Sequence, residues 1–309
     1  MPKVFVGAGG WAYFRGPWRG NLEAYARAFN FVEVNSTFYS FPDIQLVRSW
    51  RKRVPESFQF SVRGHGDLTH RYELRPVDES FDAYYKMVDI CNNLDAEILH
   101  LLTPARVRLD DQGIREIAEF FSSIDLENPR LAWEIRGQRT PGEWEKLTRV
   151  MQDRNIVHCV DLSVEHPRVR SDILYARLFG KGVHNLYQFD DRELREINTQ
   201  ADKQSGRSYL IFHGGRMYED AARLKTYRET GQFPRARGPT GVESLMRIMG
   251  EDAVFPATKT ELTRKQGWKV IDTTSDQRSH ASSLLERLPD REYSDLNDVR
   301  QGLSETGTD

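Results

Sequence analysis

Short apolar runs alternate with longer amphipathic stretches through most of the chain. Each short run is rich in β-branched or aromatic residues, which is typical of strands that are covered on both faces, as in a parallel sheet. Eight such runs predict eight strands: Lys3–Gly7, Phe31–Asn35, Phe58–Arg63, Glu97–Leu102, Leu131–Arg136, Ile156–Asp161, Leu174–Leu178 and Tyr209–His213.

The stretches between these runs place apolar residues three or four positions apart, which predicts helices that cover the sheet. One helix is expected to stop before Pro55, because proline disfavours helical geometry in the residue that precedes it. The crossover after Asp161 is short and contains proline, which disfavours a helix there. The predicted helices are Leu22–Phe29, Ile44–Val54, Phe81–Leu94, Gln112–Phe121, Pro141–Asp153, Arg192–Ala201 and Tyr218–Glu229.

This alternation of eight strands with seven or eight helices predicts an α/β fold. A (β/α)₈ TIM barrel of about 250 residues fits the count. A doubly wound parallel sheet is the alternative architecture, since it is built from the same strand–helix units. The even spacing of the eight units favours the barrel.

The pattern changes after Gly250. A helix start signal follows Phe255, the stretch Ser275–Ser282 is polar and predicts a loop, and the end from Ser304 is predicted to be disordered. We therefore predict two domains: a TIM barrel over residues 1–250, and a small, mainly helical C-terminal module over residues 251–309.

Composition and charge limit the classes of function. The chain is 39% hydrophobic and 29% charged, as in soluble globular proteins, and it has no apolar run of about 18 residues that would span a membrane. A net charge of −2 means that an anionic partner must meet a local basic patch. The two isolated cysteines, Cys91 and Cys159, are typical of a reducing compartment, so we expect a cytoplasmic protein.

The run Gly7–Ala12 (GAGGWA) follows the first strand and fits the glycine pattern of dinucleotide-binding folds. That mechanism needs a helix N-terminus directly after the glycines, where backbone N–H groups meet the pyrophosphate. Here a loop continues to about Asn21. We therefore expect no nucleotide cofactor.

Polar residues collect where the predicted strands end. In a TIM barrel these positions converge on one face, which is where active sites lie. Alternation along a strand places Glu33 with Asn35, and Glu134 with Arg136, on the same side of their strands. The full set is Glu33, Asn35, Arg63, His70, Glu134, Arg136, Asp161, Arg177 and His213.

These residue types predict hydrolysis of an anionic substrate, because arginines bind phosphate while carboxylates and histidines move protons. The candidate catalytic residues are Glu33, His70, Glu134 and Asp161, with His70 as general acid. The three carboxylates are also candidate ligands of a divalent metal, Mg²⁺ or Mn²⁺. The candidate substrate-binding residues are Trp11, Tyr13, Asn35, Tyr39, Arg63, Arg136, Arg177 and His213. The alternative is a salt-bridge network that closes the barrel mouth.

The loops after the first two strands are rich in aromatic residues: Trp11, Tyr13, Phe14, Trp18, Phe38, Tyr39 and Phe41. Rings above a polar mouth can stack on bases or sugars. They can equally pack on one another and roof the barrel, and both interpretations stay open.

Several of these motifs resemble one known family. The runs Gly7–Tyr13, Val32–Tyr39 (VEVNSTFY), Glu134–Arg136 and Tyr175–Gly180 are similar to those of the YecE-like family, domain of unknown function 72, over about residues 3–230. A later run, Met217–Ala221, is similar to archaeal members. The resemblance implies a TIM barrel. The family's function is not established, and its fold-level likeness to endonuclease IV and to sugar-isomerase-like barrels has suggested DNA binding or phosphodiester hydrolysis.

The sequence departs from the family pattern at two candidate site positions. Arg63 stands where a lysine is common, and His213-Gly214 replaces a pair of asparagines. The tail resembles a small module of unknown function, domain 2795.

The sequence is compatible with three hypotheses for the function. The leading one is a phosphodiesterase or nuclease that acts on nucleic acid or another phosphorylated substrate. The second is a non-catalytic module that binds phosphate or nucleic acid at the barrel mouth, with a tail that contacts a protein partner. The third is a sugar-isomerase-like enzyme, which would need two bound metals.

Overall fold

A computed structural model of the chain describes residues 3–14, 22–125, 128–182 and 185–307. The predicted loop residues Trp18 and Asn21 lie outside the described residues. The chain divides into two compact units. The first consists of Met1–Leu178 and Gln200–His213, and the second of Phe179–Thr199 and Gly214–Asp309. The separation of residues 1–250 from 251–309 stays a prediction.

Eight parallel strands form one sheet in the first unit. In chain order they are β1 (Lys3–Ala8), β2 (Phe31–Val34), β3 (Gln59–Arg63), β4 (Ile98–Thr103), β5 (Arg130–Ile135), β6 (Val157–His158), β7 (Ile173–Leu178) and β8 (Arg207–Phe212). The spatial order is β6-β5-β4-β3-β2-β1-β8-β7. A parallel bridge between Val160 and Ala176 joins the two edges, so the barrel is nearly closed. The predicted α/β TIM barrel is confirmed, with all eight strands.

Within the described residues, seven α-helices alternate with these strands, as predicted. They are α1 (Leu22–Ala28), α2 (Ile44–Lys52), α3 (Asp78–Leu94), α4 (Asp111–Ser122), α5 (Pro141–Asp153), α6 (Asp191–Asp202) and α7 (Met217–Thr230). No helix occurs over residues 159–172, all of which the structure describes, in agreement with the proline-containing crossover.

Local sequence explains where the helices begin. The Asp43 side chain accepts a hydrogen bond from the backbone N–H of Gln45 at 2.7 Å and thereby starts α2. At α5, Thr140 and Glu143 form a reciprocal capping box, and Pro141 occupies the first helical position. These caps satisfy backbone N–H groups that have no partner within the helix.

The barrel interior is filled with apolar and aromatic side chains away from the mouth. The Phe5 and Tyr209 rings are stacked with their centroids 4.9 Å apart, and the whole cluster is buried. It consists of Phe5, Phe31, Ile98, Ala132, Val157, Cys159, Ile173, Tyr175, Tyr209 and Ile211. The charged residues described below lie among strands that are otherwise apolar.

The second unit contains short helices and two small antiparallel sheets. Its remaining helices are α8 (Gly241–Met249), α9 (Lys259–Gln266), α10 (Ser282–Leu285) and α11 (Leu296–Glu305). The sheets pair β9 (Ala257–Thr258) with β12 (Glu292–Tyr293), and β10 (Val270–Asp272) with β11 (Arg278–His280). An apolar cluster that includes Leu245, Leu285 and Tyr293 forms its core.

Two details of the tail differ from the sequence prediction. The stretch Ser275–Ser282 was predicted to be a loop, but it contains β11. This strand is polar and pairs with β10, so its conformation depends on the partner strand rather than on its own pattern. Helix α11 reaches Glu305, two residues into the stretch predicted to be disordered. Within the described parts of the chain, no helix is long and apolar enough to cross a membrane.

Candidate functional site

Glu33 is the most enclosed carboxylate at the barrel mouth. It lies on β2 with no solvent exposure. Arg177 donates to its Oε1 atom from Nε at 3.2 Å, and the Tyr175 hydroxyl donates to its Oε2 atom at 2.8 Å. His213 Nε2 lies 3.5 Å from Oε1, and His100 Nδ1 lies 3.7 Å from Oε2. Both carboxylate oxygens are therefore occupied by this chain's own side chains.

Arg177 connects Glu33 with the second carboxylate, Glu134. Its Nη1 atom donates to Glu134 Oε2 at 2.7 Å, while its Nη2 atom lies 3.1 Å from Glu33 Oε1. Arg177 is almost fully buried on β7. Burial of two carboxylates is tolerated here because one guanidinium offers donors to both.

Arg136 neutralises the other oxygen of Glu134. Its Nε atom donates to Glu134 Oε1 at 2.6 Å, and its side chain is 35% exposed. Glu134 itself is 13% exposed, so this pair faces the solvent side of the network. For Arg136 and Arg177, the salt-bridge alternative raised by the sequence is therefore the arrangement that the structure has.

His100 belongs to the same side-chain network, although the sequence analysis did not name it as a candidate. It is fully buried on β4, and its Nε2 atom lies 3.2 Å from Glu134 Oε2. Tyr175 was missed as well; its hydroxyl contacts Glu33 and the Ser61 hydroxyl, each at 2.8 Å. A usable signal existed for His100, since it is the one imidazole within the apolar run EILHLL.

The charges at the mouth shift the pKa values of these groups. Burial alone would raise the pKa of the Glu33 carboxyl, but Arg177 and the two neighbouring histidines hold it well below its usual value. Glu134 behaves in the same way beside Arg177 and His100. Burial, reinforced by the positive charge of Arg177, lowers the pKa of His213 to about 4 and also lowers that of His100. The site therefore combines ionised carboxylates with neutral imidazoles at pH 7.

His213 lies directly against the backbone of Gly9. A Cβ atom at position 9 would stand 2.2 Å from His213 Cε1 and 2.5 Å from Nδ1. A Cβ at Gly7 would stand 2.1 Å from the Phe31 carbonyl oxygen. The two glycines of the apparent dinucleotide fingerprint thus let an imidazole and a neighbouring strand approach closely.

Arg63 differs from the other two arginines of the mouth. It ends β3, and its Nη1 atom donates to Asn35 Oδ1 at 2.7 Å. Its guanidinium carbon lies 4.0 Å from the centroid of the Phe38 ring. Within the described parts of the chain it forms no ion pair. Burial and the nearby charge of Arg177 lower its pKa to about 10, so it stays charged at pH 7.

His70 lies on the Arg63 side of the mouth. Its ring packs edge-on against Phe38, with centroids 4.8 Å apart, and its Nδ1 atom hydrogen-bonds the Thr69 hydroxyl at 2.8 Å. Burial, together with the charges of Arg106 and Arg63, lowers its pKa to about 4. His70 is consequently neutral at pH 7.

Asp161 occupies the loop after β6. Its Oδ1 atom accepts hydrogen bonds from the backbone N–H and the hydroxyl of Ser163, at 2.9 and 2.6 Å. This contact forms a tight turn, which is a common structural role of aspartate. The Oδ1 atom of Asp161 is therefore bonded within its own turn, whereas Glu33 and Glu134 are both bonded to Arg177.

The aromatic residues divide between the two interpretations. Trp11 packs edge-on against Trp50 of α2, and Phe14 packs against Tyr25, so these rings cover the barrel. Tyr13 and Tyr39 are 82% and 74% exposed and are available to a ligand.

The carboxylates do not fit a divalent metal in this arrangement. Mg²⁺ or Mn²⁺ would need oxygens of Glu33 and Glu134 that Arg177 already contacts. His100, Glu134 and Cys159 have potential ligand atoms within 4.8 Å of one another. Burial raises the pKa of the Cys159 thiol well above its usual value, however, which keeps it protonated and a poor ligand.

Comparison with known proteins identifies relatives of the barrel. The model of the family described as "Protein of unknown function DUF72" matches residues 5–241. YecE of Escherichia coli is 32% identical over 255 residues, which cover 81% of this chain and 75% of YecE. YunF of Bacillus subtilis is 36% identical over 67 residues, which cover 20% of this chain and 24% of YunF.

Solved structures share the fold. A DUF72 family protein of Enterococcus faecalis matches with a TM-score of 0.57 and 15% identity, over 74% of this chain and 98% of its own. A DUF72 family protein of Thermotoga maritima matches with a TM-score of 0.57 and 16% identity, over 74% of this chain and 99% of its own. At this identity the likeness concerns the fold alone.

Proposed function

The chain belongs to the DUF72 family, and from that premise we propose that its barrel mouth binds the phosphate group of an anionic substrate at Arg63. One observation carries the proposal. Arg63 is a partly buried cation that is held by an amide and a ring, with no carboxylate in ion-pair contact among the described residues. A guanidinium that is positioned but not neutralised is suited to bidentate binding of phosphate.

The surroundings of Arg63 favour a phosphate ester over a free inorganic anion. Phe38 contacts both Arg63 and the Tyr39 ring, and the centroids of the Phe38 and Tyr39 rings are 5.0 Å apart. Tyr39 is largely exposed, so a planar group attached to the phosphate can stack on it. Phosphorylated compounds with a base or an aromatic group, including single-stranded nucleic acid, are therefore the preferred ligands.

Hydrolysis of a phosphodiester is the second candidate function, and the contact between His213 and Glu33 favours it. In this reaction a water oxygen forms a bond to phosphorus while the ester P–O bond breaks, and the leaving oxygen takes a proton. Neutral His213, which Glu33 contacts, accepts the proton of the water. Bound phosphate adds negative charge beside Arg63, which raises the pKa of His70 toward the range in which it donates a proton.

The sugar-isomerase alternative is less well supported. A two-metal site needs carboxylate oxygens that are free to coordinate ions. Arg177 contacts both Glu33 and Glu134, and Arg136 contacts the remaining oxygen of Glu134. No step of the proposal therefore depends on a metal.

The test is a calorimetric titration with 5′-AMP at low salt. We expect wild-type protein to bind and Arg63→Ala to bind at least tenfold more weakly, with Arg63→Lys intermediate because it keeps the charge but loses the fork geometry. Arg71→Ala is the matched control, since Arg71 is an exposed arginine eight residues away in sequence. Equal binding by wild type and Arg63→Ala, at unchanged thermal stability, would refute the assignment.

Incubation with a single-stranded oligonucleotide then separates the two candidate functions. Turnover that is lost in His213→Asn while AMP binding persists supports hydrolysis. Binding without turnover supports a non-catalytic binding module. If neither 5′-AMP nor the oligonucleotide binds, both candidate functions are overturned.

A further inference from the structure

The second unit contains a cavity of about 450 Å³ whose wall is rich in arginine. Six arginines line it, against three carboxylates, Glu219, Glu251 and Asp272. The arginines come from helix α7 and the residue that precedes it, from helix α8, from strand β11 and from the loop between α7 and α8. They are Arg216, Arg223, Arg235, Arg237, Arg247 and Arg278.

The deep part of the wall is fixed in place. Arg223 is buried, donates to the Phe189 carbonyl oxygen at 2.7 Å, and forms an ion pair with Asp191. Arg278 contacts Asp272 Oδ1 through Nε at 2.8 Å. Its Nη1 atom lies 3.7 Å from Asp191 Oδ2. These contacts preorganise the arginines, so a ligand would not have to order them.

The outer part of the wall carries charge that the protein does not neutralise fully. Arg237 is exposed and forms no ion pair within the described residues. The guanidinium of Arg247 packs against Gly238, which follows Arg237 in the chain. A Cβ atom at position 238 would stand 2.5 Å from the Nη1 atom of Arg247. Its contact with Asp272 is long, 3.6 Å, and Asp272 is shared with Arg278. Arg247 and Arg278 thus share Asp272, and no carboxylate pairs with Arg237 among the described residues.

We propose that this cavity is a second anion-binding site, which takes a compound with two or more linked phosphate groups between Arg237, Arg247 and Arg278. A single phosphate would leave part of this charge uncompensated, and the volume exceeds what one phosphate fills. The loop that carries Arg237 is anchored, because the Ala236 N–H donates to the Ser275 carbonyl oxygen at 2.8 Å. Its lining residues belong to the second unit, whereas Arg63 belongs to the first.

Inorganic pyrophosphate titrated into the Arg63→Ala variant tests the proposal, because this background removes the site proposed at the barrel mouth. We expect residual binding of pyrophosphate, and at least tenfold weaker binding when Arg237→Ala and Arg247→Ala are added. Arg287→Ala is the matched control, since Arg287 is exposed, forms no ion pair among the described residues and does not line the cavity.

The outcomes separate the two proposals. Loss of all pyrophosphate binding in Arg63→Ala alone overturns the second site and leaves the barrel site standing. Residual binding that the Arg237 and Arg247 substitutions do not weaken also overturns it. A third outcome is that Arg63→Ala leaves pyrophosphate binding unchanged, whereas Arg237→Ala and Arg247→Ala together abolish it. This result supports the second site and counts against the site at Arg63. Unfolding midpoints within about 2 °C of wild type exclude a loss of fold as the cause.

Discussion

The guanidinium of Arg63 lies over the ring of Phe38, with its central carbon 4.0 Å from the ring centroid. A ring and an amide oxygen thus hold this cation, whereas Arg177 and Arg136 are held by carboxylates. Among the described residues, Arg63 therefore differs from the other two arginines of the mouth in having no carboxylate partner, which is why we propose that it binds the ligand.

Arg177→Met should destabilise the protein by about 3–5 kcal/mol, because it leaves two buried carboxylates without their shared partner. Urea unfolding at pH 7 measures the loss. Arg149→Ala is the control: Arg149 is 69% exposed and pairs with Glu145 one helical turn away, so its loss should cost less than about 0.5 kcal/mol. Similar losses in the two variants would contradict the structural role of Arg177.

Tyr39→Ala should weaken the binding of 5′-AMP about tenfold, since stacking on an aromatic side chain contributes about 1–3 kcal/mol per base. Binding of ribose 5-phosphate, which has no base to stack, should change less than twofold. Tyr85→Ala provides the control, because Tyr85 is an exposed tyrosine on α3. Equal losses for both ligands would show that Tyr39 does not contact the base.

Gly9→Ala should cost about 1–3 kcal/mol, because its methyl group would overlap the ring of His213. Adding His213→Ala should recover part of this loss, since it removes the overlapping ring. Gly142→Ala is the matched control, for a Cβ atom there meets nothing within 4 Å and the position lies in the first turn of α5. Thermal unfolding of Gly9→Ala, His213→Ala, the double variant and Gly142→Ala measures the effect, and additive losses would disprove the contact.

Stability should fall between pH 7 and pH 5. Burial, together with Arg177 for His213 and Arg168 for His158, lowers the pKa of both imidazoles from 6.5 to about 4. Between these two values the unfolded chain binds a proton at each histidine and the folded protein does not. Stability therefore declines as the pH falls, by about 1.4 kcal/mol per pH unit for each group.

Glu33 and Glu134 extend this decline to lower pH. Their folded pKa values are lowered, so their contribution is complete above the unfolded pKa of about 4.5 and is lost as the pH falls below it. Urea unfolding at pH 7, 6 and 5 tests the histidine part. His213→Asn should reduce the slope by at most about a third, because His70 and His158 also have folded pKa values of about 4. A free energy of unfolding that is constant over this range would contradict the assignment.

The barrel was predictable because its strands are so apolar that they can be recognised from the sequence without knowledge of tertiary contacts. Runs such as Leu174–Leu178 and Tyr209–His213 are nearly continuous in apolar residues and differ clearly from the amphipathic helices between them. Strand β11 was not predictable in this way. Its residues Arg278–His280 are polar, and only pairing with β10 makes them a strand.

The candidate site was partly predictable for a related reason. Glu33, Glu134 and Arg177 stand out as charges at the ends of apolar strands, and the structure brings them together. Which arginine neutralises which carboxylate depends on side-chain positions across the barrel, 43 residues apart for Arg177 and Glu134. His100 and Tyr175 were missed because one polar side chain within an otherwise apolar strand is not distinguishable, in the sequence, from an ordinary core residue.

A crystal structure of the wild-type protein soaked with inorganic phosphate would show directly whether Arg63 binds phosphate. We expect an anion within hydrogen-bond distance of the Arg63 guanidinium, with Arg177 still bound to Glu33 and Glu134. A saturated crystal with no anion at Arg63, or with Arg63 turned into an ion pair with one of these carboxylates, would contradict it.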